Sequence, residues 1–289
     1  MNKIYIAGSG GMLGDAFYNI FKKKYDIKCT DKDKNEKWLS FLDFRNFEDY
    51  FIDVKNFKPD YLFHLGALTD LEYCENNFED AYKSNFDSVK YAVEISNQLK
   101  IPLLFISTAG IFDGKKNIYD EDDKPNPLCI YAKTKYKAEL YVQKNSKKFL
   151  ICRPGWMMGG GIKKDKKFIS KIINQILNEK KIINVVDDKM GTPTYTYDFA
   201  KNVELLIEKN IFGLFNLVCD GLTSRYDVCC EMLRLLNLEK KIFINKVDSS
   251  FFKKEYFAKR PESERLINKN LDKINLNIMR DWKVCLSEY

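Results

Sequence analysis

The sequence predicts an α/β protein built on a doubly wound parallel sheet with a smaller C-terminal domain. Three observations carry that reading. Short apolar runs alternate with amphipathic stretches through the first half of the 289-residue chain, a glycine-rich turn separates the first run from the first amphipathic stretch, and the alternation is lost after about residue 155. Strand–helix alternation favours right-handed crossovers and hence parallel strands. The length is enough for one large domain and a small one.

The elements follow in order. "KIYIA" (3–7) reads as a buried strand, and in "MLGDAFYNIFKKK" residues Leu13, Phe17, Ile20 and Phe21 share one helical face. Further strands are read in "IKCTD", "YLFHLGA" (61–67), "PLLFIST" (102–108) and "FLICRP" (149–154), with helices over 78–99 and 127–144. Beyond these lie "GGGIKKDKK", a helix near 167–179, and "INVVDDKMGTPTYTYDFAKNV". The expected division is residues 1–155 plus about 185–220 in the sheet domain, and about 156–184 plus 221–289 in the smaller one.

Composition narrows the function classes. Hydrophobic residues make up 45% and aromatics 14%, enough for a real core and against wholesale disorder. The net charge of +7 comes from lysines spread along the chain, so clusters such as "KKDKK" (163–167) read as solvated loop. No interleaving of arginine with aromatics points to nucleic acid. The eight cysteines form no Cys-x-x-Cys pair, which predicts no metal site, no disulfide scaffold and a reduced, cytoplasmic protein. No stretch approaches the length of a membrane span, so no membrane partner is expected.

"AGSGGMLG" spaces Gly8, Gly11 and Gly14 as Gly-x-x-Gly-x-x-Gly, directly after a strand and before a helix. There the glycines permit a tight turn and let backbone N–H groups approach a pyrophosphate at the helix N-terminus. Asp31 ends the next strand, 17 residues after Gly14, where a carboxylate would hold adenosine ribose hydroxyls. These features together predict dinucleotide binding. An acid at that position favours NAD(H), although Lys32 and Lys34 stand close by.

Three Tyr-x-x-x-Lys pairs occur: Tyr18/Lys22, Tyr131/Lys135 and Tyr197/Lys201. Average usage would give roughly two by chance. Only Tyr131/Lys135 follows a strand ending in "ISTAG", and residues four apart share a helix face. Ser107 or Thr108 could then bond a substrate carbonyl that Tyr131 protonates. A neighbouring ammonium is expected to lower the phenol's pKa toward neutrality, where acid–base catalysis works best.

The glycine loop, "STAGIFDG", "YAKTK", "RPGWMMGGG" and "VVDDKMGTPT" resemble the extended short-chain dehydrogenase/reductases, which have a Rossmann fold. Within them the chain is most similar to the dTDP-4-dehydrorhamnose reductase family, through "YDEDDKPNPLCIYAKTKYKAE" and "RPESERL". The resemblance implies NAD(P)H as cofactor, a nucleotide-linked 4-keto-6-deoxysugar as substrate, and a homodimer. Its implied catalytic set is Thr108, Tyr131 and Lys135. The implied cofactor contacts are Gly8, Gly11, Met12, Leu13, Gly14, Asp31, Asp43, Phe44, Leu65, Gly66, Ala67, Tyr131, Lys135 and Arg153. For substrate they are Thr69, Thr108, Ala109, Tyr131, Trp156 and Arg260, with Arg265 a second arginine for a diphosphate. Asn85 matches a family asparagine that supports the site, and His64 is expected to be structural.

In those reductases Asp-Tyr usually follows the Ser-Thr. Here Ala109 and Gly110 stand there, as in sugar-nucleotide epimerases. An NAD-dependent epimerase or dehydratase is therefore an alternative. A non-catalytic NADP-binding regulatory subunit, similar to the methionine adenosyltransferase beta subunit, is a second.

Overall fold

In the computed structural model, which describes residues 1–289, strand β1 (Lys3–Ala7) shows how the fold is layered. Ile4 and Ile6 enter one core while Tyr5 and Ala7 enter the other, as the two-residue period of a strand requires. Next come α1 (Met12–Phe21), β2 (Asp26–Asp31), β3 (Leu39–Phe41), α2 (Phe47–Phe57) and β4 (Tyr61–His64). After these run α3 (Leu71–Asn76), α4 (Phe78–Tyr82), a π-helical turn (Lys83–Asp87), α5 (Ser88–Leu99), β5 (Leu103–Ile106), α6 (Ile130–Asn145) and β6 (Phe149–Arg153).

The later elements are β7 (Trp156–Met158), α7 (Gly161–Lys164), α8 (Phe168–Leu177), β8 (Ile182–Val186), β9 (Met190–Gly191), β10 (Pro193–Tyr195), α9 (Thr196–Glu208) and β11 (Gly213–Asn216). The chain ends with β12 (Thr223–Ser224), α10 (Arg225–Leu235), β13 (Phe243–Val247), β14 (Ser263–Glu264), α11 (Lys269–Lys273) and α12 (Trp282–Glu288).

Seven strands form one sheet in the order β11-β6-β5-β4-β1-β2-β3, and every pairing is parallel. The order reverses between β1 and β4, so a crevice opens beyond their carboxyl ends. On one face, Phe17 and Phe21 of α1 pack with Phe63 and with Phe199 and Val203 of α9. On the other, Tyr50 of α2, Val89 and Val93 of α5, and Ala138 and Val142 of α6 cover Leu103, Phe105 and Ile151. Burying one such large apolar side chain is worth roughly 2 kcal/mol, so the two layers hold the strand ends firmly. The segments around α8, β8, α10 and α12 share a separate core that includes Ile172, Ile183, Val228, Met232 and Trp282. No helix is long and apolar enough to cross a membrane.

Candidate active site

The turn from β1 into α1 is pinned at its base, where the N–H groups of Gly8 and Ser9 both donate to Thr30 O, at 2.9 and 3.0 Å. Gly8 has φ +76°, and a Cβ there would lie 2.2 Å from Gly66 Cα. The two backbones touch at the switch point, a contact only glycine permits. Gly14 also lies against backbone, since a Cβ would fall 2.0 Å from Ser9 O. Gly11 differs, with nothing within 4 Å of its Cβ position, and it heads α1 without any side-chain cap. The first N–H groups of α1 are thus uncapped beside an open approach, which suits a pyrophosphate. Met12 and Leu13 are buried below.

Asp31 closes this loop from the side. Its carboxylate accepts from Gly10 N at 2.8 Å and Asp33 N at 3.0 Å. Each oxygen keeps a lone pair for a ribose hydroxyl. Across the turn, Leu65, Gly66 and Ala67 leave β4, with Leu65 N donating to Ala7 O at 2.9 Å. The Phe44 ring lies on Gly66, where a Cβ would come 2.2 Å from Phe44 Cε1.

Asp43 and Arg153, both expected to contact the cofactor, are already ion-paired within the protein. Asp43 accepts from Arg45 Nε at 2.9 Å and Nη2 at 2.7 Å, which holds its carboxyl below the usual range. Arg153 is buried and forks onto Glu139, at 3.0 and 2.5 Å. An arginine inside a sheet protein needs a carboxylate more than a surface does, and here α6 supplies one.

The catalytic candidates do converge. Tyr131 and Lys135 lie one turn apart on α6, whose first N–H groups are met by Glu75 through an Ile130 N–H bond of 2.7 Å. The Tyr131 hydroxyl is within hydrogen-bond reach of the Thr108 side chain, at the end of β5. Thr108 Oγ1 also accepts from Gly110 N at 3.1 Å. Ser107 is buried with its hydroxyl unpartnered. Asn85 is buried, not a surface amide. It bonds Leu68 through Oδ1 and Nδ2 (2.7 and 3.0 Å) and reaches Thr134 of α6 at 3.2 Å. It thereby ties the loop after β4 to the helix bearing Tyr131. The π-helical turn that contains it widens the helix locally and aims this side chain inward.

Electrostatics overturn one expectation. Burial raises the Tyr131 phenol above its usual range, and the hydrogen bond from Thr108 only partly offsets this. Lys135 is itself buried, which pushes its amine down to about 7. Its Nζ lies 4.3 Å over the Phe105 ring and bonds no protein oxygen. Desolvation acts on both groups, so the ammonium does not by itself make the phenol acidic. Lys135 has donors to spare for cofactor hydroxyls, and the open Gly11 turn and paired glycine contact fit the rest of a dinucleotide.

His64 is a core residue. Ser88 donates to Ser84 O, so it accepts from His64 Nε2 (3.2 Å), which leaves Nδ1 to accept from Tyr50 (3.2 Å). Burial drives its pKa down to about 3.

The substrate candidates are more occupied than the sequence suggests. Ala109 is buried behind Thr108. Thr69 receives Lys167 Nζ on its carbonyl and hydroxyl, at 3.2 and 3.1 Å. Arg260 grips Glu72 of α3 bidentately, at 2.7 and 2.9 Å. Arg265 reaches Asn117 at 2.9 Å. Trp156 has little free face for a sugar, because Gly191 packs against the indole and the Arg225 guanidinium lies 3.7 Å over it.

A family model described as the RmlD substrate binding domain matches residues 1–289. The chain belongs to that family. One relative, a dTDP-4-dehydrorhamnose reductase of Aggregatibacter actinomycetemcomitans, is 27% identical over 279 residues, covering 92% of this chain and 90% of its own. The methionine adenosyltransferase 2 subunit beta of Bos taurus is 23% identical over 295 residues, covering 99% of this chain and 86% of its own. A solved dTDP-4-dehydrorhamnose reductase of Bacillus anthracis in complex with NADP has a TM-score of 0.91 at 25% identity, covering 100% of this chain and 99% of that one.

Three side chains at this RmlD-family site escaped the sequence reading: Lys167, Arg225 and Glu264. Glu264 accepts from Trp156 Nε1 at 2.7 Å, and its other oxygen lies 3.3 Å from the Cβ position of Gly110. The missing side chain at Gly110 is what makes room for that carboxylate. Only "RPESERL", singled out for its arginines, could have drawn attention to it.

Proposed function

We propose that this protein reduces the 4-keto group of a nucleotide-linked 6-deoxysugar with NAD(P)H, and that Tyr131 is the proton donor. The observation that supports the reading is that Tyr131, one turn before Lys135 on α6, bonds Thr108 just after β5, the strand paired with β4, whose end makes the Gly8–Gly66 contact. When bound, the cofactor supplies the hydride. Gly11 and the first turn of α1 would hold its pyrophosphate, Asp31 its adenosine ribose, and Lys135 its nicotinamide ribose. The Tyr131 hydroxyl gives its proton to the carbonyl oxygen as the carbon becomes tetrahedral. The Thr108 hydroxyl orients that oxygen. A phenol kept protonated by burial is an acid in the correct state for this direction of reaction.

The matching division of labour gives residues 1–155 with about 185–220 to the cofactor and the remaining segments to the sugar nucleotide, except that α11 departs from the expected bounds, since Leu271 and Leu276 pack into the core of the sheet.

The test is incubation of the protein with NADPH and a dTDP-linked 4-keto-6-deoxysugar. Oxidation of one NADPH per product supports the reductase. Product formed without net oxidation supports an epimerase or dehydratase instead. If Tyr131→Phe left every activity unchanged, a non-catalytic regulatory subunit would be the better reading; the Bos taurus relative is named a subunit beta.

A further inference from the structure

Arg225 is the first residue of α10, where the positive end of the helix dipole disfavours a cation. Its guanidinium lies 3.7 Å over the Trp156 ring and 4.9 Å from the centre of Phe168. Burial lowers its pKa to about 10. The other six arginines each hold a carboxylate or an amide oxygen. Arg225 holds none through its side chain, which makes it the exception. Two more cations stand close enough to oppose its charge, Arg260 and Lys167. The nearby acids are already engaged: Glu264 with Trp156, and Asp165 with the Tyr289 hydroxyl at 2.9 Å.

Desolvation, a helix N-terminus and like-charged neighbours each disfavour this charge, and Glu264 and Asp165 oppose them from nearby without bonding the guanidinium. Such local conflict is characteristic of sites kept for binding. A guanidinium flat on an indole still presents its N–H fork edge-on, which matches phosphate oxygens. Arg260 and Lys167 bond Glu72 and Thr69, so both cations reach the segment that follows the carboxyl end of β4.

We propose that Arg225, seated on Trp156, is the anchor for the diphosphate of the sugar nucleotide, with Arg260 and Lys167 beside it. Trp156 then serves as a platform for the arginine rather than as a stacking surface for the sugar. One unpaired guanidinium with Lys167 and the Glu72-paired Arg260 close by suits a dianion better than a single carboxylate on the sugar ring. This inference rests on the nucleotide-sugar reading above.

The experiment is calorimetric titration of dTDP and UDP into NADPH-loaded protein, for the natural chain, Arg225→Gln and Arg225→Lys. Arg225→Gln should weaken the better of the two diphosphates by about 30-fold or more, the effect of removing one partner of a desolvated charge pair. Arg225→Lys should fall between, because it keeps the charge and loses the fork. The NADPH affinity of each variant, measured alongside, reports on intact folding and should not change. Equal diphosphate binding by Arg225→Gln overturns the role of Arg225 alone. Failure of the natural chain to bind either diphosphate, with NADPH binding intact, overturns the nucleotide-sugar reading and this inference with it.

Discussion

Lys135 ends with its Nζ 4.3 Å from the centre of the Phe105 ring, on a side chain only 2% exposed. An amine with an ordinary pKa of 10.5 is pushed down to about 7 there by burial. The unfolded chain therefore binds more protons than the native one between pH 7 and 10.5, and stability rises with pH across that window. Below it the amine is charged in both states and the cost of burial is carried in full. Lys135→Met removes that cost. Its melting temperature at pH 6 should exceed that of the natural chain by about 2 °C or more, with the gap closing toward pH 10.5. Activity should fall by at least about 100-fold, which thermal melts and an NADPH assay on one preparation would show.

Tyr131→Phe removes the proton donor while keeping the ring. The expected result is a loss of kcat by about 100- to 10,000-fold, with NADPH binding essentially retained. Single-turnover reduction and a separate cofactor titration distinguish the two.

Asp31 places a carboxylate at the end of β2 while bracing Gly10 and Asp33. Its charge repels a 2′-phosphate. Asp31→Asn should shift the NADPH-to-NADH affinity ratio toward NADPH by about tenfold, equivalent to about 1.4 kcal/mol. It should also lose about 1 kcal/mol of stability from the weakened loop bond. Paired titrations with both cofactors check the first, denaturant melts the second.

A methyl group at Gly66 would sit 2.2 Å from Phe44 Cε1 and force the ring off its edge-on contact with His64. Gly66→Ala should therefore cost about 1–3 kcal/mol and weaken cofactor binding. Adding Phe44→Leu should recover part of both losses, since it is the ring that the methyl meets.

Glu72 and Arg260 are both partly exposed, so their ion pair contributes little, about 1 kcal/mol at most. Glu72→Gln should leave the melting temperature nearly unchanged and free Arg260. The KM for the sugar nucleotide should then fall, while a rise would show that the pair holds the entrance in its working shape.

Much of the sheet was legible because each strand and helix carries its own periodic pattern. The glycine turn was equally plain, since its demands are met by three residues close in sequence. Asn85 was legible only as a resemblance, because its worth depends on Leu68 and on Thr134, 49 positions away. The arginines were least legible. Nothing near residue 260 announces that Glu72, 188 positions earlier, will take its fork.

The sequence by itself determined a parallel sheet, a glycine loop for a dinucleotide and a helix presenting Tyr131 and Lys135 on one face. These follow from short-range spacing, which sets which side of an element each residue occupies. Tertiary structure decided which charges are already paired, which leaves Arg225 as the arginine without a partner. It also decided that burial lifts the Tyr131 phenol and depresses the Lys135 amine. The physical reason is that charge and desolvation depend on what surrounds a group from every side, and most of those neighbours come from distant parts of the chain.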